Sequence, residues 1–286
     1  MSFSHWLATL AVWTSMTVAA VAAPPLKALI IDGQNNHNWK ETTPLLKKAL
    51  EETGLFSVEV ATVSPGQATQ DFKPNFSKYQ VVVSNYNGAD WPAETQKAFE
   101  AYVAGGGGLV SFHAADNSFP QWKAYNEMIG VGGWGGRNEK DGPSLYWKAG
   151  KIVRDTTPGA GGGHGSQHPF QLIVREPNHP ITKGLPPAFM HGADELYGHL
   201  RGPAKNVTVL ATAAENDRSH QEPILMAIRY GKGRVFHTTL GHAGSACKCV
   251  AFIVTFQRGT EWAATGKVTQ AVPADFPGPD KVNVRP

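Results

Sequence analysis

Cysteine is nearly absent from this chain of 286 residues: Cys247 and Cys249 are the only two. That excludes a small fold stapled by disulfides. A C-x-C spacing is too tight for an easy bridge, and two thiols alone make no zinc motif. Both fall in or near the last helix and read as buried helix residues. Charge of one sign is equally scarce. The 26 Lys and Arg against 23 Asp and Glu leave a net charge of +3, and no basic run exceeds Lys47-Lys48. Nothing in this balance points to nucleic acid or an anionic membrane surface as a partner. There is no internal repeat, and one long apolar run stands out, near the N-terminus.

That run, Leu7 to Val21, is too short and too weakly flanked for a membrane span. Ala20-Val21-Ala22 fits a small-x-small cleavage site before Pro24. Residues 1–23 therefore read as a signal peptide, with a mature chain beginning near Ala23 and a secreted or periplasmic location. No membrane span remains after its removal. One departure is that Met1 to Trp6 carries no Lys or Arg, only His5. A retained anchor is the alternative.

What the chain has in quantity is glycine and large aromatics: 31 Gly, eight Trp and seven Tyr. Aromatic faces beside polar loops suit sugar rings, although core packing is their commoner use. Lys27 to Asp32 reads as a buried strand, followed by a polar stretch to Trp39 and an amphipathic helix over Thr43 to Glu52. Further strands are predicted at Phe56 to Val63, Gln80 to Tyr86 and Gly108 to His113, with a helix from Pro92 to Ala104 between the last two. Strands alternating with helices predict an α/β fold, a doubly wound, mostly parallel sheet with helices on both faces. Val131 to Gly165 reads as one long Gly-rich loop. Strands follow at Pro169 to Arg175, Val207 to Ala213, Pro223 to Tyr230 and Arg234 to Leu240, the last two joined by Gly231-Lys232-Gly233 as a hairpin. A final helix is expected over Ser245 to Ala264. The layout is one domain, 24–268, and a Pro-rich tail, 269–286, lying along the surface or disordered.

Parallel strands end on one edge of a sheet, which is where open α/β sheets bind ligands. The loops there carry Asp32, Asn35, Asn36, His37, Asn38 and Trp39; then Asn85, Asn87 and Asp90; then His113, Asp116 and Asn117. Such a density of amides, imidazoles and carboxyls suits a polyhydroxylated ligand; the competing view is that Asn, Asp and Gly are turn residues. His113 follows four glycines and the apolar run Leu109, Val110, Phe112, where an elbow residue would stand. His242 follows Gly241 at its own strand end, so His37, His113 and His242 are expected to converge on one edge. Three other clusters carry titratable groups. His164 and His168 lie in a Gly-flanked loop, a weak metal signal. Asp194-Glu195 with Tyr197 could divide acid and base work, or Asp194 could cap a turn. His220 with Glu222 completes the set.

These motifs, taken in order, resemble the ThuA-like (trehalose utilisation) family. They are Asp32-Gly33 with His37-Asn38-Trp39, the strand ending Phe112-His113-Ala114, Trp134-Gly135-Gly136, Asn178-His179-Pro180-Ile181, Asp194-Glu195-Leu196-Tyr197, Glu222-Pro223, Gly231 to Phe236 running on to Leu240-Gly241-His242, and Arg258 to Gly266. The resemblance spans about Leu26 to Val268. It implies a class I glutamine amidotransferase-like, flavodoxin-like fold. It also implies sugar metabolism, of trehalose-type or 3-keto sugars. In the amidotransferases the elbow residue is cysteine; here the matching position is His113, so glutamine hydrolysis, which needs a thiol nucleophile, is disfavoured.

Two functions compete. In the first, an enzyme processes a glycoside or 3-keto-glycoside, with His113 as acid or base and Glu195, Glu222 and His242 as its catalytic partners. Asp32, His37, Asn38, Trp39, Asn85, Asp116, Trp134, Arg137 and Asp194 would bind the substrate. A divalent metal on His113 and His242 with a carboxylate is a variant, which ligand spacing does not itself indicate. In the second, the protein binds a small carbohydrate without catalysis, stacking it on Trp39, Trp91 and Trp134.

Overall fold

In a computed structural model the described residues are 1–2, 24–215 and 219–286, so the expected signal peptide lies outside them apart from Met1 and Ser2. The chain opens with β1 (Leu26–Asp32), α1 (Trp39–Glu51), β2 (Phe56–Thr62), a short α2 (Gln67–Gln70), β3 (Val81–Ser84), α3 (Ala93–Ala104), β4 (Gly108–Phe112) and α4 (Lys123–Ile129). There follow β5 (Ser144–Lys148), β6 (Lys151–Asp155), β7 (His168–Val174), β8 (Ala188–Asp194), β9 (Val207–Ala213), β10 (Glu222–Tyr230), β11 (Gly233–Thr238), α5 (Gly244–Cys247) and α6 (Val250–Thr265).

The main sheet has nine strands in the order β2-β1-β3-β4-β11-β10-β9-β7-β8. The first five are mutually parallel, and their order is the flavodoxin-like one. β3 and β4 are buried throughout, as strands covered on both faces must be. One face packs Ile30, Val83, Val110 and Phe236 against α1 and α6. The other packs Ile31, Val82, Leu109 and Val235 against α3 and α4. The hairpin forms as expected: β10 runs antiparallel to β11, and β11 regains the parallel direction beside β4. β10, β9, β7 and β8 extend the sheet as an antiparallel wing.

The wing curls round α6, which packs against β4 and β11 on one side and β8 on the other. Every residue from Val250 to Ala263 is buried, the signature of a helix with apolar partners all round. Among the described residues no helix is long and apolar enough to cross a membrane.

Predicted strand ends shift by one or two residues at most, and four larger differences from the sequence reading stand out. The first helix begins at Trp39, because the Asn38 carbonyl accepts the N–H groups of Glu41 and Thr42 and so starts the helix ahead of Pro44. The expected loop over 131–165 contains the β5–β6 hairpin. β8 was not foreseen, since His191 and Gly192 break its apolar alternation. The final helix divides at Lys248 and Cys249 into α5 and α6. The Pro-rich tail is tied down along the surface: Gly278 accepts the Met190 N–H, Asn283 accepts the Val250 N–H, and Phe276 packs on Phe189 at 5.0 Å.

Candidate metal centre

His113 is the first residue after β4 and holds φ +44. A non-glycine residue in this left-handed region costs of order 1–3 kcal/mol and persists where its surroundings over-determine it. The surroundings do so here. Its Nδ1 lies 2.6 Å from the Thr239 carbonyl, which only accepts, so Nδ1 carries the proton and Nε2 presents a lone pair. The Tyr197 hydroxyl donates to that Nε2 at 2.9 Å.

His37 is oriented by a chain of amides from the end of β3. Asn85 donates to Thr42 and Thr43 at the start of α1 and accepts from Asn35. The Asn35 Oδ1 then receives the His37 backbone N–H at 2.9 Å and faces its Nδ1 at 3.2 Å. The Nε2 of His37 is thereby left as the free lone pair. His37 and Asn85 follow β1 and β3, the strands flanking the switch point where this topology binds ligands.

Glu195, just after β8, completes the group. Its Oε2 lies 3.0 Å from His242 Nδ1, 3.7 Å from His113 Nε2 and 3.8 Å from His37 Nε2. One donor atom from each of these four residues lies within 4.8 Å of the others. Glu195 Oε2 and His242 Nδ1 are both buried with no hydrogen-bond partner, close as they are. Three imidazoles round one buried carboxylate cannot all be protonated without like-charge repulsion. Burial, and then the neighbouring His113 and His242, push His37 down to about 4. Burial opposes charge on His113 too, but Glu195 and Asp194 outweigh it and raise the His113 pKa. Burial likewise opposes charge on Glu195, and the facing histidines overcome this and lower its pKa. A divalent cation fits the cluster: the imidazoles offer lone pairs, their far nitrogens are held by an amide or carbonyl in two cases, and two orphaned donor atoms would be satisfied.

A cavity of about 240 Å³ adjoins His37, Glu195 and Tyr197. Asn36, Asn87 and Asn117 supply its amides, Trp134 an aromatic wall, and His164 an imidazole whose Nε2 stands 3.7 Å from Glu195 Oε1. Trp134 packs on Tyr197 at 4.7 Å between ring centres.

The structure thus brings together His37, His113, Glu195, His242 and Trp134, and sends the other candidates elsewhere. Asn38 is exposed and reaches Glu41, while Trp39 sits in α1 under the Lys40 ammonium. Asp32 is buried at the end of β1 and does not line the cavity. Asn85 is likewise a support, as described above. Asp116 is fully buried and faces His237 at 3.4 Å. Arg137 spends all five N–H donors on Asn126 Oδ1 and the carbonyls of Asn117, Ser118 and Gly133, leaving none for a substrate. Asp194 is also inaccessible. Its Oδ1 accepts the N–H groups of Glu195 and His242, and its Oδ2 accepts Gly241 N–H and His191 Nε2–H. Glu222 opens β10 on the same edge, but its carboxylate takes the His220 imidazole at 2.8 Å. Neither cysteine stands at the elbow; both are buried. His164 was visible in the sequence, but its pairing with His168 concealed that it faces Glu195.

The sequence model of the family described as trehalose utilisation (ThuA) matches residues 27–263. A solved ThuA-like protein from Parabacteroides merdae is 46% identical with a TM-score of 0.88, covering 92% of this chain and 98% of its own. A second ThuA-like structure, from Bacteroides uniformis, is 20% identical with a TM-score of 0.59, covering 88% and 96% respectively, and shows the shared fold. No curated protein matches the chain. With a family match over nearly the whole described domain and a close structural relative, the chain belongs to the ThuA, or trehalose utilisation, family.

Proposed function

We propose that this protein is a metal-dependent enzyme acting on a small carbohydrate, a glycoside or 3-keto-glycoside, in a secreted or periplasmic setting. The observation that carries the reading is the convergence of His37, His113, Glu195 and His242 beside a polar cavity. A bound divalent ion would polarise a substrate carbonyl or hydroxyl oxygen. The protein's own groups account for the rest. Asn36, Asn87 and Asn117 offer amides to sugar hydroxyls, and Trp134 offers a face to a ring. The cavity is smaller than the roughly 300–1,000 Å³ of drug-sized ligand sites, which favours one sugar ring over two.

In this reading His113 serves as a ligand, because its Nδ1–H is committed to Thr239 and its Nε2 lone pair would pass from the Tyr197 hydroxyl to the ion. His164 takes the acid–base role. Its Nδ1 lies 2.8 Å from the Gly165 carbonyl, so Nε2 is the basic nitrogen, and the side chain is 36% exposed at the cavity. Removing a proton beside a ketone, or protonating a leaving oxygen, lies within its reach.

The test is incubation of metal-stripped and zinc- or manganese-loaded protein with disaccharides and their 3-keto forms. Turnover by the loaded protein alone is expected. Failure of calorimetry to detect metal uptake, or turnover indifferent to a chelator, would reject the metal-dependent reading. Saturable sugar binding with no turnover would leave a carbohydrate-binding protein.

A further inference from the structure

Behind the four candidate ligands lies a second constellation that never reaches the cavity: Cys249, His191 and Asp194, each 0% exposed. The residue types are those of a nucleophilic triad, but no substrate can approach them. Cys249 is the residue that caps α6, a helix of 16 residues. Its sulfur accepts the Gly192 N–H at 3.3 Å, and the tail closes over it through the bridge between Cys249 and Val284. The His191 imidazole, one residue before Gly192, reaches the Asp194 carboxylate with Nε2 2.8 Å from Oδ2.

Resting on the metal reading above, we propose that Cys249, His191 and Asp194 form a positioning relay that holds Glu195 and His242 in their coordinating places. The route is continuous. The sulfur at the N-terminus of α6 holds the Gly192 N–H, Gly192 follows His191 in β8, His191 Nε2–H holds Asp194, and Asp194 holds the backbone of both ligands. A carboxylate has about four acceptor sites, and the N–H groups of Glu195, Gly241 and His242 with His191 Nε2–H take four here. Loss of one of these anchors frees the carboxylate to turn and carries both ligand backbones with it.

Charge supports the geometry. Burial opposes the His191 imidazolium, yet Asp194 and Cys249 raise it to about 9. Burial opposes the Cys249 thiolate too, and His191 with the Gly192 and Ala251 N–H groups outweighs that and lowers its pKa. A helix N-terminus acts in the same direction. Both shifts favour the charged forms of the two groups.

The experiment compares the wild-type chain with Cys249→Ala and, as a control of helix stability, Val254→Ala in the same helix. In metal-free protein, hydrogen exchange at the Glu195 and His242 amides should quicken about tenfold in Cys249→Ala. In zinc titrations the same variant should bind 10–100-fold more weakly, the usual cost of removing an outer partner of a metal site. Val254→Ala should leave both readouts unchanged. Should the alanine variant fail to fold, Cys249→Ser is read in the same way. Wild-type exchange at both amides in a folded Cys249 variant, or equal effects from Val254→Ala, would overturn the relay. A wild-type protein that binds no zinc would overturn the metal reading instead, and the exchange data would still decide the relay.

Discussion

Asp194 and His242 are 48 positions apart, yet Asp194 Oδ1 accepts the His242 backbone N–H at 3.0 Å. This bond ties the last strand of the antiparallel wing to the loop that leaves β11. Without the curl of the wing round α6, Glu195 would stand at the far border of the sheet, four strands from β11. With it, a carboxylate from one end of the sheet meets imidazoles from its middle.

Gly241 makes that bond possible. It holds φ +115, and a Cβ there would lie 2.2 Å from Phe112 Cε2. Gly241→Ala should destabilise the fold by ~2–4 kcal/mol through backbone strain and overpacking, and should weaken zinc binding because His242 leaves Asp194. Urea unfolding with a zinc titration checks both, and an unchanged unfolding midpoint would contradict the clash.

Arg137 should behave as a clamp. Arg137→Met strands carbonyls of Asn117, Ser118 and Gly133 that it now satisfies, at an expected cost of ~3 kcal/mol. Activity per folded molecule should persist below the melting range. A raised KM in a protein of normal stability would return Arg137 to substrate recognition.

His164 lies beside Glu195 outside the four-residue cluster. His164→Ala should lower kcat by ~10²–10⁴, as loss of a general acid or base does, with zinc affinity unchanged. Parallel loss of zinc affinity would make it a fifth ligand and end the acid–base assignment.

His179 supplies a stability signature in acid. Burial, and then the Arg229 guanidinium, push it from 6.5 to about 4 in the native state. Between those values the unfolded chain binds the extra proton and the native chain does not. Its contribution is therefore whole above pH ~6.5, falls as the pH drops toward ~4, and levels off below that. His179→Gln should flatten this part of the curve of stability against pH, measured by urea midpoints; an unaltered slope would show that His179 titrates normally in the folded protein.

Much of the frame is legible locally. Runs such as Val81 to Val83 and Leu109 to Val110, separated by amphipathic helices, specify buried parallel strands through periodicity alone. Parallel strands end together, so His37 and His113 had to share an edge, and the β10–β11 hairpin carried His242 to the same edge by restoring the parallel direction.

Which polar residues reach the cavity was decided otherwise. Asp194 and Glu195 are neighbours of the same chemical type, and nothing in their order says that one is buried as an anchor while the other faces three imidazoles. Arg137 and Asn85 sit in loops like those of true ligand-binding residues, but long-range carbonyls and hydroxyls consume their hydrogen bonds. Sequence periodicity reports which face of a strand or helix is apolar, and by itself it determined the parallel core and the edge on which the histidines stand. Partners drawn from distant segments determine where a polar group points, so the choice of Glu195 over Glu222 and the burial of Asp194 were settled only when the wing closed round α6.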